Sequence, residues 1–113
     1  MHELSIAQSI VEIVEEEALK NDVNVVTEVE VEVGTLSGIE PDALEFAWEV
    51  ASVEGIAKGS RMIIRKVQAR GRCSDCSEEF DVENFFEACP KCKNPWFDVI
   101  QGREMKIIAI VAE

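Results

Sequence analysis

The chain has no tyrosine, a single histidine, only three prolines, and fewer than half as many basic as acidic residues, 11 against 23. Each shortage closes a door. With His2 the sole imidazole, no histidine–histidine pair can form, and no serine–histidine pair is apparent. No glycine-rich nucleotide loop is present either, so an enzyme reading has no support. A net charge of −12 leaves too few cations to line a phosphate backbone, which argues against nucleic acid as a partner. The acidity is spread: residues 1–70 carry 14 acidic against 6 basic groups, and residues 71–98 carry 7 against 3. No apolar run approaches the ~20 residues that span a bilayer, so no membrane segment is expected. The first residues, with Glu3 and the run Glu15-Glu16-Glu17, lack the basic start and apolar stretch of an export signal. Neither an internal repeat nor a low-complexity linker interrupts the 113 residues.

What is present is a cysteine pattern. Cys73-Ser74-Asp75-Cys76 and Cys89-Pro90-Lys91-Cys92 are two C-x2-C pairs separated by twelve residues, and they hold all four cysteines. The short spacing lets one tight turn aim two sulfurs at a point, and two such turns make a tetrahedral thiolate cage suited to zinc. Iron in a rubredoxin-like cage and a redox-active dithiol pair are the competing readings. With few apolar residues around it, such a module folds on its metal, which supplies roughly 10–16 kcal/mol in peptide systems. Arg72, Lys91 and Lys93 are expected to offset thiolate charge and lower the cysteine pKa values. Metal-spaced cysteines in a chain without an export signal point to the reducing cytoplasm.

Around this module the periodicities predict an α+β fold. Leu4, Ala7, Val11, Val14 and Ala18, widened by Ile6, Ile10 and Ile13, mark a helix over 4–20 that stops at Asn21-Asp22. Residues 25–33 alternate as a strand, with Val25, Thr27, Val29, Val31 and Val33 facing inward and Glu28, Glu30 and Glu32 outward. Pro41 opens a second helix running to about Val53, with Leu44, Ala47, Trp48 and Ala51 inward. A strand over 60–70 offers Arg61 and Arg65 to the Glu row, and residues 104–112 return as a third strand. If the first two strands are parallel, the helix between them is a crossover. The expected architecture is a three-stranded mixed sheet with two helices on one face and an inserted four-cysteine, zinc-ribbon-like module. Phe80, Phe85, Phe86, Trp96 and Phe97 are expected to supply that module's small apolar packing. The division falls as residues 1–70, completed by a return strand within 99–113, and a cysteine module over 71–98.

His2 is a second metal candidate. Methionine is ordinarily retained before a residue as large as histidine, which leaves the α-amine of Met1 beside the imidazole. Amine, deprotonated amide and imidazole nitrogen close fused chelate rings, and the amide of Glu3 offers a fourth nitrogen. Four nitrogens in a plane suit Ni(II) or Cu(II) and not zinc. The plain alternative is a terminal histidine with no function.

Taken in order, Met1-His2-Glu3-Leu4-Ser5, Gly34-x-Leu36-Ser37-Gly38-Ile39-Glu40-Pro41, the paired C-x2-C motifs, and Gly102-x-Glu104-Met105-Lys106-Ile107 resemble the HypA/HybF family of hydrogenase nickel-insertion chaperones along the whole chain. Only the cysteine pairs are strong alone; the ordered set is specific. The resemblance implies a cytoplasmic nickel metallochaperone for maturation of nickel–iron hydrogenase and, in some bacteria, urease. It implies nickel at Met1, His2 and Glu3 and structural zinc at Cys73, Cys76, Cys89 and Cys92. The implied partners are a HypB-type GTPase maturation factor, the hydrogenase large subunit and urease accessory proteins, with a monomer or weak homodimer expected. Unlike some relatives, this chain has no histidine near its cysteines. A rubredoxin-like electron carrier and a zinc-ribbon interaction module remain the readings from other classes.

Overall fold

A computed structural model of the chain describes residues 3–113; Met1 and His2 lie outside the described residues. The elements are α1 (Glu3–Lys20), β1 (Val26–Gly34), α2 (Pro41–Ala51), β2 (Arg61–Val67), β3 (Arg70–Cys73), β4 (Glu79–Asp81), β5 (Phe97–Gln101) and β6 (Met105–Ala112). They form two separate three-stranded sheets, ordered β2-β1-β6 and β4-β3-β5. The radius of gyration is 17.4 Å, against the ~13 Å of a compact chain of this length, and the long axis is 54 Å. No helix among the described residues is long and apolar enough to cross a membrane.

The larger sheet is mixed as expected, with β1 parallel to β2 and antiparallel to β6. Ala7, Ile10, Val14 and Ala18 of α1 and Leu44, Ala47 and Trp48 of α2 bury against Val29, Val31 and Val33. Trp48 fits inside because its indole N–H donates to Ser60 Oγ at 3.1 Å, so no polar atom is stranded. The opposite face holds the Glu row. Arg61 pairs with Glu28 at 3.2 Å, and Arg65 pairs with Glu30. Such exposed pairs contribute about 0–1 kcal/mol each, so the sheet is held by its apolar face. Helix α1 stops because Asp22 turns to φ 54° and Val23 N–H donates back to Ala18 O at 2.9 Å, a left-handed cap.

Three expectations change. The strand alternation breaks between Val26 and Glu28, where the register against β6 shifts; a bulge there buries Val26 and leaves Val25 exposed. The strand expected over 60–70 is two strands in two sheets, divided at Gln68-Ala69. Helix α2 ends at Ala51, where Ser52 N–H closes onto Trp48 O at 2.9 Å and Val53 turns outward.

The sheets are joined by a bonded waist. Thr35 N–H donates to Val67 O at 3.0 Å, Leu36 N–H to Gly102 O at 2.8 Å, and Ala69 N–H to Thr35 Oγ1 at 2.9 Å. The backbones lie close enough that a Cβ on Gly34 would sit 2.2 Å from Gly102 O. Gly102 is pinned twice, by φ +89° and by Ala69 Cα, 2.4 Å from where its own Cβ would fall. Leu36 packs on the cysteine lobe, and Ile39, three residues on, packs on the main core.

Gly102→Ala should therefore lower stability by more than about 3 kcal/mol, from backbone overlap added to left-handed strain. Gly59→Ala, at φ +73° with nothing within 4 Å of its Cβ, should cost only about 1–2 kcal/mol. Denaturant unfolding of the two variants measures the difference.

Candidate metal centre

The four cysteine sulfurs converge as the spacing predicts. All lie within 4.8 Å of one another. Cys73 and Cys92 Sγ are 3.5 Å apart, and Cys76 and Cys89 Sγ are 3.7 Å apart. A tetrahedron with zinc–sulfur bonds of ~2.3 Å has edges of about 3.8 Å. The donor set therefore fits a four-coordinate metal with no further ligand.

Both turns are built alike. Cys73 N–H donates to Glu78 O at 2.9 Å, and Cys89 N–H to Asn94 O at 2.9 Å. Ser77 N–H returns to Cys73 O at 3.2 Å, and Lys93 N–H to Cys89 O at 2.8 Å. Each pair of bonds forces the residue after the second cysteine into the left-handed region, Ser77 at φ 63° and Lys93 at φ 66°. Neither residue is the glycine that announces such a turn in a sequence, so spacing was the only signal. Asn94, which sequence reasoning missed, aims its amide at Cys73 Sγ at 3.8 Å, while Asp75 N–H donates to the same sulfur at 3.4 Å.

Those donors, and not cations, set the thiol chemistry. The backbone N–H of Cys76 does most to hold Cys73 down, at about 6 against an ordinary 9.0. Burial pushes Cys89 up, but the N–H groups of Cys92 and Lys91 and the adjacent sulfurs outweigh it, and its thiol lies below the usual value. At Cys76 the N–H of Glu78 pulls downward, yet burial and the Cys73 and Cys89 sulfurs win, raising the thiol. At Cys92 the N–H of Asn94 pulls downward, but Cys73 and burial foremost push the thiol to about 12. Two of the three expected cations are engaged elsewhere. Arg72 pairs with Glu79 at 3.1 Å, and Lys93 Nζ donates to Pro90 O at 3.4 Å.

The apolar packing of this lobe is thinner than expected. Its buried members are Ala69, Cys73, Phe80, Val82 and Cys89, two of them from the cysteine cluster. Phe80 meets Phe97 edge-on at 5.3 Å. Phe85, Phe86 and Trp96 turn outward instead, Phe86 at 96% exposure and Trp96 at 75%, because a lobe this small has no interior to take them.

The other predicted site is reached only in part. Met1 and His2 lie outside the described residues. Glu3, first residue of α1, is anchored: its Oε2 accepts the N–H of Glu40 at 3.2 Å. Glu40 is the N-cap of α2 and has no capping side chain of its own. The start of α1 is thus tied to the loop before α2, a contact the sequence does not announce.

Because the metal-free cage at neutral pH keeps protons on its raised thiols, Cys76 and Cys92, metal capture must expel them, and affinity falls as pH falls. Calorimetry in buffers of different ionisation enthalpy should show about two to three protons released per metal at pH ~7. Four would mean that Cys73 is not held as a thiolate.

Comparison with known proteins agrees with this geometry. Residues 1–112 match the family model described as hydrogenase/urease nickel incorporation, metallochaperone, hypA. The hydrogenase maturation factor HypA of Geobacter metallireducens is 40% identical over 113 residues, covering all of both chains. That of Parabacteroides distasonis is 41% identical over 111 residues, covering 98% of this chain and 96% of its own. The solution structure of the Ni metallochaperone HypA from Helicobacter pylori matches with a TM-score of 0.72 at 27% identity, over 99% of this chain and 97% of that one. A chain that is similar over its whole length in sequence and fold belongs to the HypA family of hydrogenase/urease nickel-incorporation metallochaperones, a family of maturation factors and not of enzymes.

Proposed function

We propose that this chain binds Ni(II) transiently through nitrogen donors at its front end, Met1, His2 and Glu3, and holds structural zinc at Cys73, Cys76, Cys89 and Cys92. The observation that carries the reading is the closed cage. Four sulfurs within 4.8 Å of one another satisfy a tetrahedral ion among themselves. A metal so enclosed exchanges slowly, which suits a resident ion and not a cargo. The chain's one imidazole stands at the opposite extreme, beside an α-amine that no interior position offers. The bond from Glu40 to Glu3 supports this by fixing the residue that follows His2.

In this reading residues 1–70, with the return strand in 99–113, form the nickel lobe, and residues 71–98 form the zinc lobe. The cytoplasm, being reducing, keeps the thiolates available. Transfer proceeds by ligand exchange onto the hydrogenase large subunit. A HypB-type GTPase docks near α1 and so repositions the ligands at its head; urease accessory proteins are further partners where urease is served.

Both the amine (pKa ~7.7–8.0) and the imidazole (~6.5) lose protons on binding, so nickel affinity should fall as pH drops from about 8 to 6. His2→Ala, or acetylation of the Met1 amine, should weaken nickel binding at least about a hundredfold, since a direct ligand is worth no less than an outer-shell one. Zinc content should stay unchanged. Isothermal titration of the untagged, zinc-loaded chain measures this; undiminished nickel affinity in both altered proteins would refute the assignment.

A further inference from the structure

The large sheet ends in an edge that the two helices do not fully cover. β6 is its outer strand. Residues 107–112 are apolar throughout, with none of the charges or prolines that usually protect an edge. The ladder skips one of them: Val31 faces Ile107 and Glu30 faces Ala109, so Ile108 is the extra residue of a bulge. Ile107 and Ile110 therefore both pack on the core, while Ile108 is pushed out.

Between this strand and α1 runs an open groove of about 480 Å³, lined by Ile13, Ala18, Val26, Ile107, Ile108 and Ile110. That volume lies within the ~300–1,000 Å³ of ligand clefts. Ile13 is 44% exposed and Ile108 41%, and no described residue covers them. The groove lacks the convergent polar groups that orient a small molecule; its one charged lining residue is Glu17.

Charge selects the occupant. Of the acids that follow one another along α1, Glu12, Glu15, Glu16 and Glu17, the last lines the groove, and Lys20 is the helix's one basic residue. Glu17 is held only by Lys20, at 3.6 Å, in an exposed pair that an incoming cation displaces at little cost. A second copy would bring another chain of net charge −12 against these carboxylates, and anionic lipid would be repelled in the same way. We infer that the α1–β6 groove is a docking site for a short cationic segment of a partner protein, its apolar side chains seated on Ile13 and Ile108 and a lysine or arginine facing Glu17. This surface is separate from both metal sites, and the inference stands whether or not nickel binds at the front end.

The test uses the full, zinc-loaded chain with its isoleucine methyls labelled. It is titrated with three short synthetic peptides: an amphipathic leucine–lysine helix, a scrambled isomer without an apolar face, and a leucine–glutamate counterpart. The leucine–lysine peptide should shift the methyls of Ile13, Ile107, Ile108 and Ile110 saturably, leaving Ile39 and Ile63 unmoved. Ile13→Ser and Ile108→Ser should each weaken it about tenfold or more, Phe46→Ser should not, and nickel titration of all three variants should be unchanged. Equal binding of the scrambled or leucine–glutamate peptide would overturn the inference. So would self-association of the chain that Ile13→Ser abolishes, because the groove would then belong to a second copy.

Discussion

Four sulfur atoms drawn within 4.8 Å of one another stand at the centre of a lobe that has almost no other reason to fold. Its buried set counts Ala69, Phe80 and Val82 beside two of the cysteines themselves, and its strands are three to five residues long. Hydrophobic burial at roughly 25 cal/mol per Å² cannot order such a segment against its chain entropy. Metal–thiolate bonding can, and the backbone N–H groups that surround Cys73 prepare the sulfurs for it. The larger lobe obeys the opposite rule. It buries thirteen residues from both helices, two strands of its sheet and the loop before β2, and needs no ion to do so.

These two regimes meet at the waist. Gly34 and Gly102 allow the backbones to touch where any side chain would keep them apart. From there the loop after β1 runs as a strap. Leu36 is seated in the cysteine lobe, Ile39 in the main core, and Glu40 N–H on the carboxylate of Glu3. A physical path of packed and bonded groups therefore connects the cysteine lobe to the residue next to His2.

Much of this was legible in the sequence, and the illegible parts share a cause. Helices, strands and the cysteine cage follow from local spacing, which the sequence carries directly. The Glu–Arg pairs followed from alternation in β1 and β2. Bulges were hidden because Val25 and Val26 are the same residue type and only pairing with β6 decides which is inward. The waist was hidden because it consists of backbone bonds among residues far apart in the chain. Phe86 and Trp96 read as core by type, and only the size of the lobe turns them outward.

The division of labour between sulfur and nitrogen is the claim on which the functional account stands. Absorption spectroscopy of the zinc-loaded, native-terminus chain during Ni(II) addition tests it most directly, with zinc in solution assayed at each step. The account predicts weak ligand-field bands from nitrogen donors, no thiolate-to-nickel charge-transfer band, and no zinc released. An intense sulfur-to-nickel band rising together with free zinc would contradict it, placing the cargo in the cysteine cage.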